Sequence, residues 1–186
     1  QGITGVMVDD PSSFLNLVNS TYYDSPDNII PDTSGGDELQ YIRNVDNAAF
    51  EYAEYIQSVS DNGINTMNYA QNPVSIQLST VAKLISGGMY SPFYIVYQGG
   101  YDTHADQLTR HNTLMSDLSF ALHNFYNDLE NQGLADKVVV MTTSEFGRRP
   151  YQNGGDGTDH GTAAPLFVLG NSVNGGLIGN APNLND

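Results

Sequence analysis

FYIVYQGGYDTH, residues 93–104, decides how the rest of the chain is read. Its first six residues are apolar on both faces and carry the β-branched pair Ile95 and Val96, the pattern of a strand covered by helices on both sides of a parallel sheet. The Gly99-Gly100 pair then lets the backbone turn, and Asp102 and His104 follow within three residues. The pattern recurs at residues 137–149, KVVVMTTSEFGRR, where a second apolar run leads into Ser144, Glu145 and the paired Arg148 and Arg149. Ligands bind at the carboxyl ends of strands in open α/β sheets, so Asp102, His104 and Glu145 are expected to meet along one sheet edge.

Helices fill the intervals. Apolar residues stepping by three and four predict an amphipathic helix over 38–59, with Leu39, Ile42, Val45, Ala49, Tyr52, Ile56 and Val59 on one face. Pro73 opens and Gly87-Gly88 closes a second, over 73–86. A third spans about 105–131, with Thr103 and Asp106 placed as a capping box and Gly133 as its stop. A shorter helix is expected over 13–19, after an apolar alternation around Val6 and Val8, and loop is expected over 20–37. The strand over 165–169 should run antiparallel to the one before it, because residues 149–164 hold no helical crossover. The expected architecture is a single α/β domain over 1–186: a three-layer αβα sandwich whose sheet is mostly parallel with one antiparallel strand. Residues 73–184 form its motif-bearing core and 1–72 a helical, loop-rich flank.

Composition narrows the function. Twenty-one acidic against 6 basic residues give a formal charge of −15, which disfavours nucleic acid and anionic membrane surfaces. The absence of cysteine removes disulfides and thiolate metal sites. No apolar run approaches the roughly 18 residues a membrane span requires.

A third polar cluster, GTDHG at 157–161, repeats the carboxylate and imidazole pair as Asp159 and His160. Carboxylate with imidazole suits zinc, manganese or iron better than calcium. A calcium-binding nonapeptide is rejected, since Gly161 stands where that repeat needs a large apolar residue and only one copy is present. The competing explanation is ordinary helix capping, with Asp102 as the cap and His104 packed over it. His111 lies on the apolar face of the third long helix, where a satisfied core histidine is the plainer explanation.

The motifs GGYDTH, SEFGRR and GTDHG resemble those of a large bacterial family of unknown function with GG-aromatic-DTH, SEFGR and GTDHG signatures, grouped with the alkaline phosphatase-like superfamily of phosphatases, sulfatases and phosphoglycerate mutases. The resemblance covers about residues 73–184. It implies Asp102, His104, Glu145 and His160 as ligands of a divalent transition metal. Asp159 and His111 are expected as outer partners, with Asp159 orienting His160. The resemblance also implies a small anionic ester substrate gripped by Arg148, and export to the periplasm or beyond. Phe146 stands where those enzymes carry a second histidine, which argues for one ion instead of two. The Ser or Thr nucleophile of that superfamily has no matching segment here, which reads as an internal piece of a longer protein. The leading expectation is metal-dependent hydrolysis of a phosphate or sulfate ester. The alternative is an exported binding protein that keeps the fold with a degenerate metal site.

Overall fold

The computed structural model describes residues 8, 10–21 and 30–180. The alternation around Val6 and residues 22–29 of the loop expected over 20–37 lie outside them. Four helices dominate: α1 (Pro11–Thr21), α2 (Ser34–Asn62), α3 (Pro73–Ser86) and α4 (Gln107–Asn131). After a 3-10 turn at Ala135–Lys137 come four short strands, β1 (Val140–Met141), β2 (Gly147–Gln152), β3 (Thr158–Gly161) and β4 (Val168–Leu169).

The described residues form two compact units, one from residues up to Ile64 with Thr80–Tyr94, the other from Asn65–Ser79 with Ile95 onward. In the first, α1 packs on α2. Thr33 caps α2, its hydroxyl accepting from the Gly36 N–H at 3.1 Å, and the Gly63 N–H closes it onto the carbonyls of Val59 and Ser60. Ile56, Val59 and Leu84 make the buried cluster, with Val8, Phe14, Met89 and Tyr94 against it. The apolar stripe of α2 is buried only in its carboxyl half; Ile42 and Val45 are exposed.

In the second unit, α4 buries Ala121, Phe125, Asp128 and Leu129. Asp128, fully buried, accepts hydrogen bonds from Asn65 Nδ2, the Thr66 N–H and hydroxyl, the Tyr69 hydroxyl and Gln132 Nε2, all between 2.7 and 3.0 Å. Five donors more than offset the desolvation that would raise this carboxyl, and its pKa lies below the ordinary value. Burial in turn raises the Tyr69 hydroxyl, with the Asp128 hydrogen bond and charge adding to the shift.

The three-layer sandwich with a mostly parallel sheet is not what the chain forms. Among the described residues there are two sheets of two strands each, both antiparallel: β1 with β4 through Val140–Leu169 and Met141–Val168, and β2 with β3. Residues 93–98 make no strand, and the side chains of Phe93, Ile95 and Tyr97 are 74%, 94% and 75% exposed. An apolar run becomes an inner strand only when neighbours take both its edges and both its faces. Here the Gln77 amide takes the Tyr97 backbone instead, donating to its carbonyl at 2.8 Å and accepting from its N–H at 2.9 Å. The expected antiparallel course of the 165–169 segment relative to β1 does hold.

Candidate metal centre

The GGYDTH segment reaches its position through local backbone chemistry. Gly100 turns the chain at φ 93°, and Thr103 is buried. Asp106, the residue before α4, is left-handed at φ 47° and makes no side-chain cap, so neither the Thr103–Asp106 capping box nor a cap by Asp102 forms. The first turn of α4 is met instead by the loop between β2 and β3: the N–H groups of Asp106 and Gln107 donate to the carbonyls of Gly155 and Asp156 at 3.1 and 3.0 Å. Asn153 organises that loop. Its Oδ1 accepts from the Gly155 and Gly157 N–H groups, and its Nδ2 donates to the His104 carbonyl at 3.0 Å. Gly157 has to be glycine, because a Cβ there would lie 2.2 Å from the His104 carbonyl carbon.

This docking brings His160, on β3, onto the 102–104 segment. His160 Nε2 lies 2.8 Å from Asp102 Oδ1, His104 Nε2 lies 3.0 Å from the same oxygen, and the two imidazole nitrogens are 3.3 Å apart. The three side chains are about half exposed, so the cluster opens to solvent. Bonds of about 2.0–2.1 Å to a tetrahedral ion imply ligand separations of about 3.3 Å, and all three distances fall at or slightly under that edge. Asp102, His104 and His160 could therefore hold a metal ion, each offering one ligand atom. The hydrogen bond with His160 is the main influence holding the Asp102 carboxyl below its usual pKa, with His104 and Arg148 adding to it.

The surroundings of these three differ from expectation in instructive ways. Glu145 is not among the groups that converge; it lies in the exposed turn after β1. Asp159 faces His104, not His160, its Oδ1 lying 3.4 Å from His104 Nδ1 and 3.3 Å from Asn153 Nδ2, and the Asn153 contact chiefly lowers its pKa. A carboxylate behind the free nitrogen of a ligating imidazole fixes its tautomer and ring plane. His111 meets the edge of the Tyr101 ring at 6.0 Å and is not one of the converging residues.

Arg148 is opposite His160 across the β2–β3 pair and is mostly buried. Its guanidinium donates to the carbonyls of Thr158 and Tyr101 and to Asp102 Oδ1 at 3.3 Å, tying the two halves of the cluster together. Phe146 completes the setting: its ring stacks on His160 at 3.9 Å and 6°, with Arg148 5.0 Å from its centroid. The sequence showed Phe146 only as a missing histidine, and Asn153 was not singled out; Asn next to a Gly-rich loop is the signal that could have marked the latter.

Residues 82–186, more than half of the chain, match DUF1501, a protein family of unknown function. The chain belongs to this family. The matched region contains the whole cluster and every side chain that supports it, so the candidate centre is a feature of the DUF1501 part of the chain. No curated protein and no solved structure matches it. No helix among the described residues is long and apolar enough to cross a membrane.

Proposed function

We propose that this DUF1501 protein holds one divalent transition metal, zinc, manganese or iron, on Asp102, His104 and His160, and hydrolyses a small phosphate or sulfate ester in the periplasm or outside the cell. The observation that carries the metal is the mutual spacing of the three ligand atoms, 2.8 to 3.3 Å, in a cluster open to solvent. One oxygen and two nitrogens suit such an ion and leave a coordination position for water or substrate. When bound, the ion would supply Lewis acidity and a water acidic enough to attack near neutral pH. The chain's own residues hold the ligands in place: Asp159 orients His104, Phe146 fixes the plane of His160, and Arg148 steadies Asp102. Arg148 acts here as a positioning residue, since its donors are engaged by two carbonyls and Asp102. The exported location and the ester class rest on the motif resemblance, and the charge of −15 argues against a nucleic-acid substrate.

The test is to load the chelator-stripped protein with zinc, remove the excess and measure zinc per chain, then assay p-nitrophenyl phosphate and p-nitrophenyl sulfate with and without metal. One ion per chain and metal-dependent turnover are expected. Arg148→Met should weaken zinc about tenfold or more, as loss of a group that orients a ligand does. Failure to retain zinc would refute the metal centre, and turnover that survives chelation would refute its role.

A further inference from the structure

A cleft of about 460 Å³ is walled by Phe146 and by Glu145, a residue expected from the sequence to bind the metal. It is bordered by the turn after β1, by the paired ends of β2 and β3, and by residues 164–166 leading into β4. Three features join it to the candidate centre. Phe146, one of its walls, is stacked on His160. Gly161, which also lines it, directly follows His160, and the opposite residue across the strand pair is Gly147. Both are places where backbones pack closely: a Cβ on Gly147 would lie 1.9 Å from the Ala163 carbonyl oxygen, and one on Gly161 2.6 Å from the Arg148 carbonyl carbon. The volume is in the range of small-molecule sites.

Its chemistry is one-sided. The Ser144 hydroxyl is engaged, donating to the Phe146 carbonyl at 2.8 Å and fixing the turn. The Glu145 carboxylate and the hydroxyls of Thr143 and Thr162 make no hydrogen bond to any described residue. No Lys or Arg lines the cleft, and Arg148 is held by Tyr101, Thr158 and Asp102. A carboxylate with two hydroxyl groups, beside the apolar Pro165 and Leu166, recognises a cation that also donates hydrogen bonds.

We propose that this cleft takes the protonated amine of a small amino alcohol, its N–H groups donated to the Glu145 carboxylate and to the hydroxyl of Thr143 or Thr162. Resting on the metal-centre reading above, it is the subsite for the organic part of the ester, so the substrate carries an amine on the alcohol side of the bond to be cleaved.

Three probes of nearly equal size separate the possibilities: ethanolamine, ethylene glycol and glycolate, each titrated into the chelator-stripped full chain at neutral pH and followed by amide NMR. Ethanolamine is expected to shift the amides of Thr143, Glu145 and Thr162 and to bind about fivefold more tightly than ethylene glycol, the upper end of what an exposed ion pair contributes. Glycolate should bind more weakly than either. Glu145→Gln should erase the preference for ethanolamine, and an unchanged amide spectrum elsewhere would show that the variant is folded. Glycolate binding as tightly as ethanolamine, an undiminished preference in the Gln variant, or no shift at Thr143 and Thr162 would overturn the proposal. Because the protein is metal-free, these outcomes are independent of whether zinc binds. Amine binding without zinc retention would leave the cleft standing and remove the metal centre.

Discussion

Asp128 shows most directly what a single side chain does for this structure. Among the described residues it is the one acidic side chain that is buried, and five donors surround it, four of them from residues 65–69. Asp128→Ala would leave those donors facing a void, and we expect a loss of about 3 kcal/mol, read as a lowered urea midpoint. The pH dependence has a definite sign. Because the folded pKa lies below the unfolded value of about 3.9, the native state favours the charged form. The contribution is complete above that unfolded value and is lost as the pH falls through the folded pKa. Urea midpoints measured from pH 6 downward should fall more steeply for the wild type than for the Ala variant below about pH 4. Parallel curves would show that the network carries no linkage. None of this was legible in the sequence, where Asp128 is one acid among 21 and all its partners but Gln132 lie about 60 residues away.

At the scale of elements, the helices were legible and the sheets were not. The 73–86 helix has the expected bounds, and α4 begins two residues inside its expected start, because a 3.6-residue stripe and a Gly or Pro stop act locally. Strands depend on partners distant in sequence. The 93–98 run satisfied the pattern for a buried strand yet has its Tyr97 backbone taken by a glutamine side chain. The β2–β3 pair carries no strand signal in the sequence, since GRRPYQ is polar and holds a proline. Yet this hairpin carries His160 to Asp102 and His104. Its docking depends on Gly157, whose missing Cβ leaves room for the His104 backbone. Gly157→Ala should push the loop from the start of α4 and cost about 1–3 kcal/mol, the range of overpacking against atoms that cannot easily move. Faster amide exchange at Asp106 and Gln107, whose N–H groups bond to this loop, would report the displacement. Unchanged exchange at both would mean that the loop is held by other contacts.

For the molecule as a whole, the three motifs announced a convergence that the structure contains, although the sheet expected to produce it is absent. Asp102 and His104 were legible as a pair because they are close in sequence, and His160 because it sits in a second acid-imidazole motif. Glu145 was placed with them on the strength of the sheet edge, and it lies apart because β1 is two residues long and does not run beside residues 93–98. A net charge of −15 adds a field that draws cations toward any site, screened over about 8 Å at physiological salt. Nonspecific cation binding must therefore be separated from the centre itself, and a cobalt titration in 150 mM salt does so through the ion's visible absorption, which reports the ligand set. The wild type should develop an intense low-symmetry cobalt band that saturates at one equivalent, and His160→Gln should lose it. A wild-type spectrum indistinguishable from aqueous cobalt, or a band unchanged in the His160 variant, would contradict the assignment of Asp102, His104 and His160 as one metal centre.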